Sequence, residues 1–323
     1  IEKNINFSQA SLMNKVNEYR KGQYIIPQKS FNNKLKEILS PNELKNLTHG
    51  DLVNAEKKTK LASNLSYLLI QNNFLFNENN DVVFSNRIKH PLSRPAPQHV
   101  ECDANQIVAS CLELIQQCVD TADQKFGNII NVGIALQRST FLFWDKITCE
   151  PQSPALSWQD SRAYQIVNEL SEYNQLIHEK SGVPLSAHFG GAKYQHLIRN
   201  DPDLKSNVDK GDIWFGPLSA FLVHRLTGRP VVDHTIAGRS QLMDISELKW
   251  DDELCSFYDV NQNCLPTLVP SVGDFGHIQP WGLPLNCIIG DQQSALIGQG
   301  GLAENFLAMN FGTSASILYN SGK

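Results

Sequence analysis

Apolar residues at Ile107, Val108, Cys111, Leu112, Ile115, Cys118 and Val119 recur every three or four positions, the spacing of one buried helix face. Asp103, just before them, has the side chain of an N-cap. Upstream, short apolar bursts at 67–70, 74–76 and 82–84 are separated by Gln71-Asn72-Asn73 and by the polar run 77–81. That pattern predicts strand, turn, strand, turn, strand: an antiparallel meander. After a connection carrying Pro91, Pro95 and Pro97, residues 129–136 form a nearly continuous apolar run, expected to be a strand buried on both faces of a parallel or mixed sheet. Residues 141–144 predict a second strand. Helices are expected at 160–180, 190–199 and 217–226, the last stopped by Thr227-Gly228. Final strands are expected at 286–289, 306–310 and 314–319. Strands alternating with helices make this an α/β chain.

Residues 1–62 have another character, rich in Asn and Lys, with a short helical period at Leu35, Ile38, Leu39, Leu44 and Leu47. Ser40-Pro41-Asn42-Glu43 has the form of a helix start. The segment reads as a small helical extension without a chemical motif.

Composition narrows the function classes. A chain of 323 residues, 41% apolar, can build a sizeable core. Its net charge of −5, with no dense basic block beyond Lys57-Lys58-Thr59-Lys60, gives no electrostatic footprint for nucleic acid or an anionic membrane. The expected partner is a small neutral or phosphorylated molecule. No apolar run approaches the roughly 18 residues of a membrane helix, and the first residues do not open a secretory signal, so a cytoplasmic location is expected. The 7 cysteines are odd in number and lack a C-x-x-C pair, which predicts reduced thiols. The histidines form no compact ligand set, and no structural metal is expected.

Four clusters place polar groups at strand ends or turns, where α/β sheets hold ligands. They are Gln137-Arg138-Ser139-Thr140, Ser157-Trp158-Gln159-Asp160-Ser161-Arg162, Ala187-His188-Phe189-Gly190-Gly191-Ala192-Lys193, and Gly290-Asp291-Gln292-Gln293. Each also has a plain structural reading. Arg138 and Asp160 could form an ion pair, Trp158 could be core, His188 could sit satisfied at a helix end, and Asp291 could cap the helix it precedes.

Their order resembles that of the FGGY carbohydrate kinases. The likeness runs from about residue 74 to 323 through Gln137-Arg138, Trp144-Asp145-Lys146, Ser157-Trp158-Gln159-Asp160, Gly190-Gly191-Ala192-Lys193, Arg225-Leu226-Thr227-Gly228, Gly238-Arg239-Ser240, Gly290-Asp291-Gln292-Gln293 and Phe311-Gly312-Thr313. It implies a ribonuclease H-like or actin-like ATPase fold of the hexokinase, actin and Hsp70 type, present as the first domain plus the start of the second. The implied organisation is a helical extension at 1–62, a sugar-binding N-terminal domain at 63–300, and the first hairpin of a nucleotide-binding domain at 301–323. It implies ATP- and Mg²⁺-dependent phosphorylation of a sugar or polyol hydroxyl by the intact parent protein. Asp291 would be the general base, Gln137, Arg138, Trp158, Asp160, His188 and Gln292 would contact substrate, and Gly312 and Thr313 would face the ATP phosphates.

The sequence also departs from the family pattern. The family opens with an acidic, Gly- and Thr-rich phosphate loop, whereas the hairpin expected around Gln71-Asn72-Asn73 has no Asp, Gly or Thr. The chain also ends ten residues after Thr313, so it is expected to be incomplete and inactive alone. Ser139 and His188 stand where glycerol kinases carry Glu and Tyr, which points away from glycerol as the substrate. The competing reading is a non-catalytic carbohydrate-binding or regulatory pseudokinase that lacks the first phosphate loop. A third gives the N-terminal helices a role in association, with a homodimer as the simplest product.

Overall fold

A computed structural model describes residues 68–311 and 315–322. The extension expected at 1–62, its Ser40 helix start, and the Gly312 and Thr313 turn lie outside the described residues. In chain order the elements are strands β1 (Leu68–Phe76), β2 (Val82–Pro91) and β3 (Glu101–Cys102), helix α1 (Ala104–Lys125), and strands β4 (Val132–Leu136), β5 (Phe141–Asp145) and β6 (Ala155–Leu156). Helices α2 (Tyr164–Glu169), α3 (Asn174–Ser181), α4 (Gly190–Asn200) and α5 (Pro202–Lys210) follow, then β7 (Ile213–Pro217), α6 (Leu218–Thr227), β8 (Val231–Asp233) and α7 (His234–Ala237). Next come β9 (Met243–Asp244), β10 (Lys249–Trp250), α8 (Asp252–Phe257), β11 (Thr267–Val269), β12 (His277–Ile278), β13 (Leu283–Gly290) and α9 (Asp291–Gly298). Strands β14 (Leu307–Phe311) and β15 (Ala315–Tyr319) pair as an antiparallel hairpin in a second compact unit, separate from the unit Tyr67–Glu304.

The core is organised by β5. Because strand side chains alternate, Phe141 and Phe143 enter one apolar cluster with Phe215, Tyr194 and Ile177, while Leu142 and Trp144 enter another with Phe221 and Leu218. Phe141, Leu142, Phe143 and Trp144 are buried to 1% exposure or less, which is why this stretch reads as an unbroken apolar run. The strand lies inside a four-stranded antiparallel sheet ordered β3-β6-β5-β7.

Helix α1 follows its apolar period: Ile107, Val108, Leu114 and Cys118 are buried, and Asp103 Oδ1 accepts the Gln106 N–H at 2.9 Å as N-cap. Upstream, the structure corrects the expected meander. β1 is one continuous strand of 9 residues, antiparallel to β2, and Gln71-Asn72-Asn73 forms its interior rather than a turn. Asn73 tolerates that place because α1 and β2 satisfy it: its amide donates to the Leu114 carbonyl at 2.7 Å and its Oδ1 accepts the Asn86 N–H at 2.9 Å. The true turn spans 77–81, tied by Asn77 Oδ1 accepting the N–H groups of Asn79 and Asp81. The segment read as a hairpin turn without the family's phosphate loop is therefore the interior of a strand.

Two other expectations shift. The strand at 129–136 is shorter and is not buried on both faces, because Gly133 and Ala135 are exposed and Ile130 lies outside it at 77% exposure. The helix at 160–180 is split into α2 and α3 by a 3-10 turn at Ser171–Tyr173. The parallel sheet itself is present: β4 pairs with β13 in parallel, with Ile134 opposite Ile288 and Leu136 opposite Gly290.

Candidate functional site

Two parallel strands with Leu136 opposite Gly290 must release their next residues at the same end of the sheet. Gln137-Arg138 and Asp291 are those residues, 153 positions apart in sequence by number and adjacent in space: Arg138 Nε lies 3.5 Å from Asp291 Oδ1. The carboxylate is 46% exposed and the guanidinium 12%, so the acid faces outward from a half-sunken base. Burial lowers the Arg138 pKa below its ordinary value, and the Asp291 charge opposes that shift. The close approach requires a glycine next door, since a Cβ on Gly290 would lie 2.7 Å from both Arg138 Cδ and Gln293 Oε1. Gly290 N–H donates to Thr235 Oγ1 at 2.8 Å, and that hydroxyl donates to buried Asp233 at 2.6 Å, anchoring the strand end to α7.

Asp291 is the first residue of α9, with Gly290 in the N-cap position. The capping reading is thus replaced by a first-turn acid that accepts the Gln292 N–H at 2.8 Å. Around it stand side chains with unused capacity. Gln137 Nε2 and Gln293 Oε1 are buried without a hydrogen-bond partner. Arg239, half-buried after α7, stacks its guanidinium 5.7 Å from the Phe189 ring centroid. Burial pulls its pKa down to about 10, with repulsion from Arg138 adding to the shift and Asp291 opposing it.

The second arm of the site follows β6. Trp158 is 50% exposed, against the reading that made it core, and its N–H donates to Thr140 Oγ1 at 3.2 Å. His188 is exposed beside it, its Nδ1 2.9 Å from the Trp158 carbonyl. Helix α4, expected at 190–199, begins two residues later; Gly191 N–H donates to the Ser240 carbonyl at 2.7 Å, and its face packs on the Tyr258 ring, where a Cβ has no room.

Asp160 is placed elsewhere. It is fully buried, accepts the Val100 N–H at 2.7 Å, and is clasped by Arg162 Nε at 3.0 and 2.9 Å to its two oxygens. Its carboxylate is used by the protein and has no face open to a ligand, so the expected substrate contact is corrected to an internal tie. The expected Arg138–Asp160 pair is replaced by Arg138–Asp291 and Arg162–Asp160. Sequence reasoning passed over Arg239 and Lys193 as site residues, although both lie in quoted motifs. Lys193 is completely buried, and its amino group donates to the carbonyls of Ser139 at 2.6 Å and Ser157 at 2.7 Å. A lysine in a motif carries no mark of burial.

Comparison with known proteins follows the same geometry. The profile of the FGGY family of carbohydrate kinases, N-terminal domain, matches residues 71–298. Glycerol kinase from Bacillus cereus (strain G9842) is 33% identical over 258 residues, covering 77% of this chain and 52% of the relative. The crystal structure of Plasmodium falciparum glycerol kinase with ADP superposes with a TM-score of 0.73 at 30% identity, over 76% of this chain and 51% of that one. Xylulose kinase from Rhodospirillum rubrum matches in fold, with a TM-score of 0.71 at 18% identity over 77% of this chain and 52% of that one. The chain spans about half the length of the curated relatives it matches.

Proposed function

The chain belongs to the FGGY family of carbohydrate kinases, and from that premise we propose that the intact protein transfers a phosphoryl group from ATP to a hydroxyl of a sugar or small polyol bound at Asp291. The observation that carries this reading is the Arg138–Asp291 pair at the shared end of β4 and β13. An outward carboxylate held by a fixed cation can accept the proton of a hydroxyl as it attacks phosphorus, and little else is asked of the protein beyond positioning and charge neutralisation.

Each neighbouring group has a part in that reading. Arg138 orients the carboxylate and donates to a substrate hydroxyl. The free amide donor of Gln137 and the Gln292 side chain reach other hydroxyls, and the exposed face of Trp158 covers the carbon edge of the substrate, with His188 fixing the loop that carries it. Arg239 adds a second cation beside Asp291, suited to negative charge building on a transferring phosphoryl group. Bound ATP supplies the phosphoryl group, with Gly312 and Thr313 as the proposed phosphate contacts. Mg²⁺ would arrive with the nucleotide, held largely by phosphate and water.

The relatives include glycerol kinases, the subgroup from which Ser139 and His188 point away, so glycerol belongs in the test alongside pentuloses and aldonates. The intact protein, supplied with Mg-ATP and a panel of these compounds, is expected to release ADP with at least one of them. Thermal stabilisation by a polyol without ADP release, and without any response to Mg-ATP, would refute the kinase reading in favour of a binding protein.

A further inference from the structure

Helix α4 places Lys193 beneath the site rather than in it. The side chain is 0% exposed, and its amino group is shared by three carbonyls: Ser139 at 2.6 Å, Ser157 at 2.7 Å and Leu156 at 3.4 Å. No carboxylate lies within ion-pair distance of it among the described ion pairs. Burying an amino group is costly, and a space-filling role would be served as well by methionine. What the amino group alone provides is a set of donors pointing in fixed directions.

The residues it joins are not arbitrary. Ser139 directly follows Arg138 in the turn from β4 to β5, and Ser157 directly precedes Trp158 after β6. Arg138 and Trp158 are the side chains that carry the two arms of the site, and they arrive from different sheets. Ser139 also has a φ of 68°, a left-handed conformation that a non-glycine residue keeps only where its surroundings hold it. Its carbonyl is the one Lys193 takes at the shortest distance. The same helix start sets His188 against the Trp158 carbonyl. The start of α4 and the residue two before it therefore hold two consecutive carbonyls of the Trp158 loop, through Lys193 and His188.

We propose that Lys193 is a positioning residue: its amino group ties the Ser139 and Ser157 carbonyls together and so sets the distance between Arg138 and Trp158 across the substrate site. The consequence for substrate rests on the kinase reading above, while the tie itself does not. Substrate affinity and selection by size then depend on a residue that touches no substrate.

The test uses the intact protein and Lys193→Met, which keeps the volume and removes the donors. Acrylamide quenching of Trp158, isolated by subtracting the signal of Trp158→Phe in each background, is expected to rise about twofold as the loop loosens. With the best polyol, KM is expected to rise about tenfold while kcat stays within about twofold, the mark of lost ground-state positioning. A Lys193→Met protein that unfolds cooperatively yet shows unchanged Trp158 quenching and unchanged KM overturns the proposal. If that variant does not fold, wild type labelled with ¹⁵N-lysine decides: a protected amino resonance that moves on polyol saturation supports the tie, and one that does not respond overturns it. If no polyol binds wild type, the kinase reading fails, and the quenching difference still decides for or against the tie.

Discussion

Asp160 and Asp291 are both acids beside a motif aromatic or a strand end, yet the fold gives them opposite surroundings. Asp160 is sealed against Arg162 and the Val100 N–H, whereas Asp291 opens outward at 46% exposure. Residue type and spacing marked both as candidates; Arg162 lies only two residues on, but the Val100 N–H that completes the seal is 60 residues away, which no local pattern encodes. Lys193 shows the same limit with a measurable consequence. Burial holds its pKa down to about 7 from an ordinary 10.5, with the Asp160 carboxylate opposing the shift. Between those values the unfolded chain binds a proton that the folded chain does not, so stability rises with pH across that window and the full cost is felt below it. The difference in melting temperature between wild type and Lys193→Met, followed from about pH 6 to about pH 9, should therefore move in favour of wild type as pH rises. A difference that stays flat would show that Lys193 does not titrate there.

At the scale of elements, legibility followed how local the cause was. The period of α1, its Asp103 cap, the glycine stop of α6 at Gly228 and the apolar β5 were readable because neighbours in sequence produce them. β1 was misread because Asn73 finds its acceptor on α1, 41 residues along. The Gly190-Gly191 start of α4 was readable as helix, but the reason for its glycines was not: they answer to the Phe141 and Tyr258 rings packed on them. Gly290 is where an element and the site meet. In Gly290→Ala the new Cβ would crowd Arg138 and Gln293, costing about 1–3 kcal/mol if both shift to make room. Denaturant unfolding should show that loss together with weakened polyol binding, whereas full stability with wild-type affinity would mean that the Arg138 approach is not tight.

At the scale of the molecule, the collinear motifs carried the family and the α/β fold, and the profile match over 71–298 agrees with both. The site was legible as a set of positions but not as an assembly: Arg138 and Asp291 become neighbours only through the parallel pairing of β4 with β13. The proposal built on that pairing is that Asp291 is the base, and Asp291→Asn in the intact protein tests it most directly. The variant keeps the shape of the side chain and removes its capacity to accept a proton. Phosphoryl transfer to the best polyol should fall by about 100-fold or more while the polyol still binds. Turnover that survives the substitution at the wild-type rate would contradict the assignment of Asp291 as the base.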